Sequence, residues 1–268
     1  SEMCIRDRGY FEGTYYKHQN DADTLCIIVG RSNSEKFIQV ITKDFSVKVP
    51  FTAGNIFTLK GIKLNIDTPQ LTLKGKIGYK KLSPIKYDIM GPFCLFPMEC
   101  RHGIISMHHR LEGKIKLNGE IIDFTNGIGY METDSGRSFP SSYTWVQAND
   151  FSEKCSIMAS VAKIPFCGLQ FRGCICIIQY KGREYRLATY LGVRVILCQP
   201  NKIVLKQGRY LLEIKIKNSS ARKLSAPQNG EMTRKILESA SCNAEFIFYK
   251  NRTQIFHCLL YTSPSPRD

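Results

Sequence analysis

Apolar and polar positions alternate every second residue through many short stretches of this chain, and turn residues separate the stretches. Phe37 to Thr42, Leu71 to Tyr79, Gly103 to His108, Gly113 to Leu117, Ile121 to Phe124, Ile157 to Ile164, Cys174 to Tyr180, Tyr185 to Tyr190 and Tyr210 to Lys217 are rich in β-branched and aromatic residues and read as strands. Asn118-Gly119 between two of them predicts a hairpin, because that pair tolerates the positive φ angles of a type I′ turn. Lys181-Gly182 predicts another. Only Met232 to Ser239 reads as a helix, and Gly9 to Lys17, taken alone, reads as an edge strand with Glu12 facing solvent. The expected fold is all-β, an antiparallel barrel or sandwich. A division near Thr125-Asn126 would give two β units, 9–125 and 126–257. The apolar segment Ile89 to Met98 is broken by Gly91, Pro92 and Pro97, which exclude a central strand or a helix. It is either a buried connection or a greasy rim at a cavity mouth.

Both ends are set apart from this pattern. Cys258 to Ser263 can be encoded by TGT CTC TTA TAC ACA TCT, and the reverse complement of that string contains codons for Met3 to Asp7. One oligonucleotide read on opposite strands accounts for both ends and reads as a sequencing-library adapter. Residues 1–8 and 258–268 are therefore expected to be adapter-derived and are excluded from the fold.

Composition narrows the partners. The net charge of +15 survives that excision, because each end carries equal numbers of acids and bases. The lysines and arginines are dispersed through the strands, which reads as a solvated basic surface; peripheral contact with an anionic membrane is the alternative. Arg172-Gly173 lacks the aromatics of an RNA-recognition motif, so no nucleic acid is expected. Removing Cys4 and Cys258 takes the 11 cysteines to nine, an odd and scattered set that suits reduced thiols and a cytoplasmic location, at most peripheral to a membrane. No apolar run reaches the roughly 18 residues of a spanning helix.

The candidate chemistry lies between Tyr130 and Asn149. Glu132 and Asp134 are two apart on one strand, so their roots are about 6.6 Å apart on one face. Neighbouring carboxylates in an apolar cavity resist double ionisation, and the retained proton is what a general acid needs; alternatively both face solvent or pair with Arg137 or a lysine. Tyr143, Trp145, Gln147 and Asn149 share a face of the next strand, a pairing of aromatics and amides suited to an apolar ligand with a polar end. His102 belongs to a strand face with Ile104, Ser106 and His108 and reads as a hydrogen-bonded wall histidine. Cys100, His102 and His108 match no usual zinc spacing, and no phosphate-cradling glycine loop or nucleophile elbow occurs, so neither metal nor cofactor is expected.

Taken together, these stretches resemble the tocopherol cyclase-like family. The resemblance runs through Tyr10 to Lys17, Pro97 to Gly103, Asn118-Gly119 with Asp123-Phe124, Gly129 to Asp134, Gly136 to Pro140, Trp145 to Asn149, Ile164-Pro165, Phe171 to Gly173, Ala188 to Tyr190 and Ala226 to Met232. It implies a calycin or lipocalin-like fold around an apolar cavity and acid-initiated ring closure on a prenylated quinol or related isoprenoid lipid. On that resemblance, Asp134 or Glu132 would be the acid. Tyr143 and Trp145 would face the cation, Gln147 and Asn149 would hold the quinol hydroxyls, and Tyr130, Glu12 and His102 would complete the substrate site. Thr14 and Ser135 depart from the pattern, which has tryptophan at both places. A non-catalytic carrier of a hydrophobic ligand is the competing expectation.

Overall fold

The structure, a computed structural model, describes residues 10–96, 98–166, 169–219, 222–228, 231–238 and 242–260. The chain alternates β-strands and tight turns throughout; the helical pieces among the described residues are two 3-10 turns, Gly91–Leu95 and Thr189–Leu191. The fold is all-β and antiparallel, as the alternation predicts.

Ten strands make the first sheet. They are β1 (Phe11–Gln19), β2 (Thr24–Arg31), β3 (Lys36–Thr42), β4 (Ser46–Pro50), β5 (Ile56–Thr58), β6 (Gly61–Asp67), β7 (Thr72–Lys80), β8 (Cys100–Leu117), β9 (Glu120–Asp123) and β10 (Ile128–Gly136). Their order is β4-β3-β2-β1-β10-β8-β7-β6-β5, with β9 hairpinned onto β8. A second sheet runs β11 (Tyr143–Ala148), β12 (Cys155–Phe166), β13 (Leu169–Tyr180), β14 (Arg183–Ala188). The third runs β15 (Arg194–Gln199), β16 (Lys202–Gln207), β17 (Tyr210–Ser219), β20 (Cys242–Lys250), β21 (Thr253–Leu260), while β18 (Arg222–Gln228) pairs with β19 (Glu231–Glu238).

Compactness divides the chain into two units. The first takes the chain to Ile85, Cys100–Ser138 and Ala226–Arg234; the second takes Lys86–Glu99, Phe139–Ser225 and the chain from Lys235. Each has its own core. The first gathers one face of the large curled sheet, including Tyr16, Ile27, Ile38, Leu64, Leu73, Ile115 and Met131. The second gathers Val146, Ile157, Cys176, Leu205, Ile214 and Phe246 from strands β11 to β20. Fully burying such a side chain contributes roughly 1.5–3 kcal/mol.

Several local readings change in this setting. The division at Thr125-Asn126 falls inside the first sheet, since β10 pairs with both β1 and β8. Strand β1 is not an edge: β10 and β2 flank it along nearly its whole length. Gly103–His108 and Gly113–Leu117 merge into β8, because Arg110 and Glu112 continue the alternation around buried Leu111. The helix expected at Met232–Ser239 is strand β19, where pairing to β18 meets the backbone's hydrogen-bonding demand and outweighs local propensity. Strand β21 continues through Leu260, past the expected end of the fold at residue 257. Residues 1–8 lie outside the described residues. Both hairpin turns form with positive φ, at Asn118 (47°) and Gly119 (94°) and at Lys181 (48°) and Gly182 (79°).

A polar cluster is embedded in the first core. His18 Nδ1 donates to the Leu25 carbonyl at 3.0 Å, which leaves Nε2 to accept from the Tyr79 hydroxyl at 2.7 Å. The His109 ring packs on Tyr79 with centroids 4.7 Å apart, and its Nδ1 contacts Ser106 Oγ at 3.1 Å.

Candidate functional site

Strand β10 positions the acids. Met131 points into the first core, so alternation turns Tyr130, Glu132 and Asp134 to the other face of the sheet. Facing them, β1 brings Lys17 opposite Tyr130, Tyr15 opposite Glu132 and Gly13 opposite Asp134. On the other flank, β8 sets Ile104 opposite Glu132 and His102 opposite Asp134. That last pairing depends on two one-residue bulges in β8. The register moves from Gly129 opposite His109 to Met131 opposite Ser106 and then to Glu132 opposite Ile104. One bulge alone would flip His102 to the core face; two restore its face and slide it by two residues.

The result is a histidine between two carboxylates. His102 Nδ1 lies 2.7 Å from Asp134 Oδ1, and Nε2 lies 3.4 Å from Glu132 Oε2. The first contact is a hydrogen bond; the second is an ion-pair contact without hydrogen-bond geometry. The Tyr130 hydroxyl donates to Glu132 Oε2 at 2.6 Å, and the Tyr15 and Tyr130 rings meet edge to face at 6.3 Å. The Tyr15 hydroxyl in turn donates to Cys26 Sγ at 3.0 Å. Burial by itself would lower the pKa of His102. The charges of Asp134 and Glu132, with their hydrogen-bonding interactions, together outweigh it and raise the imidazole to about 10. The ring is therefore an imidazolium at neutral pH.

The donor atoms of His102, Glu132 and Asp134 lie within 4.8 Å of one another, close enough to consider a divalent cation. As the side chains stand, one imidazole nitrogen is directed at each carboxylate. The geometry suits a hydrogen-bonded ionic triad.

The remaining expected residues divide between the units. Glu12 is on the opposite face of β1 from Tyr15, partly exposed and ion-paired to Arg31 at 3.0 Å. A groove of about 550 Å³ lies there, lined by Glu12, Arg31 and Lys36 with Thr14, Thr133 and Ser135, and Asp134 also borders it. The two departures from the resemblance, Thr14 and Ser135, thus line one groove. Tyr143, Trp145, Gln147 and Asn149 belong to the second unit and are all buried. Val146 and Ala148 enter that unit's core, whereas Trp145 and Gln147 take the other face of β11, opposite Ser160 and Met158 of β12. Phe139 packs edge-on against Tyr143 at 5.5 Å.

Sequence reasoning passed over Tyr15 and Lys17 as site residues. Lys17 is 1% exposed, an unusual burial for a lysine, on the face shared by Glu132. The one available signal was the aromatic alternation from Tyr10 to Tyr16, which does not reveal its partner strand. The greasy segment from Ile89 is part buried connection and part exposed rim. Ile89 is 0% exposed but Leu95 is 84% exposed. Arg186 holds the segment by donating to the carbonyls of Asp88 and Tyr87 and by stacking on the Tyr87 ring at 3.5 Å. The Tyr190 hydroxyl donates to the Ile89 carbonyl at 2.8 Å. Pro97 lies outside the described residues.

Among the described residues no helix is long and apolar enough to cross a membrane. The eight cysteines with described side chains form no disulfide with one another.

No curated protein matches the sequence. Solved structures resemble it in fold. Kievitone hydratase from Nectria haematococca superposes with a TM-score of 0.56 at 13% identity, over 97% of this chain and 88% of that one. CghA with Sch210972 gives 0.62 at 7% identity with the same two coverages, 97% and 88%. A putative AttH from Nitrosomonas europaea gives 0.51 at 10% identity, covering 97% and 92%. At these identities the likeness speaks for the fold. Descent is carried by sequence: the model of the tocopherol cyclase-like family matches residues 14–234, a span that holds the ionic triad of β8 and β10 and the aromatic face of β11. The chain belongs to the tocopherol cyclase-like family.

Proposed function

We propose that this protein initiates ring closure of a prenylated quinol or related isoprenoid lipid by donating a proton from Asp134. The observation that carries this reading is the imidazole of His102 set between two carboxylates. Protonating an alkene needs an acid whose conjugate base is stabilised where it forms. Asp134 is the member open to a substrate, its side chain 15% exposed, whereas Glu132 is 0% exposed and engaged by Tyr130.

In this mechanism the proton held between His102 and Asp134 passes through the Asp134 carboxyl to a prenyl double bond. The pair left behind is an Asp134 carboxylate 2.7 Å from a His102 imidazole, placed to take a proton back. The phenol oxygen of the quinol captures the carbocation, a C–O bond closes the ring, and the phenolic proton returns to Asp134. Charge and protons balance over the cycle. Glu132 and Tyr130 act as positioning residues for His102.

The test is turnover of a panel of prenylated quinols, with products read by mass spectrometry. Asp134→Asn is expected to lose about 10²–10⁴-fold, the usual contribution of a positioned acid. Undiminished turnover in that variant would remove the mechanism. Binding without turnover by the unaltered protein would leave the carrier of a hydrophobic ligand, which requires a cavity and no acid.

A further inference from the structure

The outer face of strands β6, β7 and β8 carries more positive charge than its own acids answer. Ile62, Leu64, Leu73, Ile77 and Ile115 face the first core, so the residues between them face outward. The register then aligns cations. Lys63 lies opposite Lys76 and Lys76 opposite Lys114, one row across three strands; Lys74 lies opposite Lys116, and Lys80 opposite Arg110. Like charges directly opposite one another destabilise a sheet, so folding alone gives no reason for these rows. Asp67, Glu112 and Asp123 pair with Lys74, Lys80 and Lys114. Among the described residues, Lys63, Lys76 and Lys116 have no such partner.

Large apolar side chains are exposed beside the rows. Ile56, 52% exposed, lies opposite Lys63, and Ile121, 71% exposed, lies opposite Lys116; Leu59 in the adjoining turn is 56% exposed. A groove of about 770 Å³, bordered by Ile56, Lys60, Lys63 and Lys76, follows the same sheet edge.

We propose that this face docks on an anionic lipid bilayer. Flexible ammonium groups spread over three strands match a broad, diffuse layer of negative head groups, which attracts each nearby lysine independently. The exposed Ile56, Leu59 and Ile121 favour lipid over a nucleic acid, because apolar side chains gain by entering the head-group boundary and gain nothing against phosphodiester backbone. The inference does not rest on the ring-closure reading, and its test involves no turnover.

The experiment is co-sedimentation of the full chain with vesicles of pure phosphatidylcholine or with about 30% phosphatidylserine, beside a filter-binding assay with single-stranded RNA. Binding is expected on the anionic vesicles and to fall steeply with salt. The triple variant Lys63→Gln, Lys76→Gln, Lys116→Gln is expected to lose about fivefold per lysine, on the order of 10²-fold together. The triple variant Lys63→Arg, Lys76→Arg, Lys116→Arg should retain binding. A control with the same loss of charge, Lys154→Gln, Lys206→Gln, Lys217→Gln on exposed positions of the second unit, should lose less than about threefold. Equal binding to neutral vesicles, an equal loss in the control, loss in the arginine variant, or RNA binding without vesicle binding would each overturn the proposal. The glutamine variant should unfold at or above the original temperature, since the rows repel.

Discussion

His102 shows how strongly neighbours govern a side chain. A solvent-exposed histidine titrates near pH 6.5, and this one, although buried, is held at about 10 by Asp134 and Glu132. Its imidazolium should persist through pH 8 in NMR titration, and Asp134→Asn should move the midpoint down toward the ordinary value. An unmoved midpoint would mean that Asp134 does not carry the ion pair. Gly129 is constrained in another way. A Cβ there would collide with the His109 ring, so Gly129→Ala is expected to cost about 1–3 kcal/mol in urea unfolding through overpacking. Trp145 is the sole tryptophan of the chain and is 2% exposed. Its emission should therefore be blue-shifted, and a prenylated quinol bound at the aromatic-amide face should quench it; a ligand that binds without changing that emission would separate Trp145 from the site.

At the scale of elements, the decisive features are the bulges of β8 and the tether of the segment after Ile85. Without the bulges, the register that pairs Gly129 with His109 would put Ile104 opposite Asp134 and Ser106 opposite Glu132. Inserting one residue between His102 and Gly103 moves His102 opposite Ser135 and turns it to the core face, so the high titration midpoint should vanish even in a variant that remains folded. The segment 86–96 hangs on a few polar contacts from Arg186 and Tyr190, with Gly91 at φ 52° where a Cβ would meet the Tyr190 ring. Arg186→Ala should raise hydrogen exchange in that segment by about tenfold or more, given roughly 1.5–3 kcal/mol for a charged hydrogen bond. Exchange at the original rate would assign the anchoring to Ile89 and Met90 instead.

For the molecule as a whole, three histidines shifted by their surroundings imply a stability maximum. Burial keeps His18 and His109 neutral, with their pKa pushed down to about 4 and about 3. The Leu25 carbonyl partly opposes this at His18, while the neighbouring His18 and His108 add to it at His109. Unfolded, both titrate near 6.5. They cost nothing above that pH, and unfolding takes up their protons as pH falls from about 6.5 toward 4, at up to about 1.4 kcal/mol per pH unit for each. His102 has the opposite sign: its contribution is fully present below about 6.5 and is lost as pH rises toward 10. Urea midpoints measured from pH 4 to 10 should peak near pH 6.5, and a flat profile would contradict the shifts of all three.

Much of this was legible along the chain. Alternation with period two specified an all-β fold, Asn118-Gly119 and Lys181-Gly182 specified their turns, and the spacing of Glu132 and Asp134 put both acids on one face. These properties depend on the backbone geometry of a few consecutive residues, so local sequence determines them. What joins to what was not legible: that β1 lies between β2 and β10, that residues 231–238 pair as strand β19, and that His102 reaches the acids across 30 residues of chain. Strand pairing and register depend on which distant segments bury one another's backbone groups and side chains, and two bulges are enough to exchange Ile104 for His102 opposite Asp134. Tertiary structure alone decided that, because the energy of a salt-bridged histidine exists only once three separate positions have been brought within hydrogen-bonding reach.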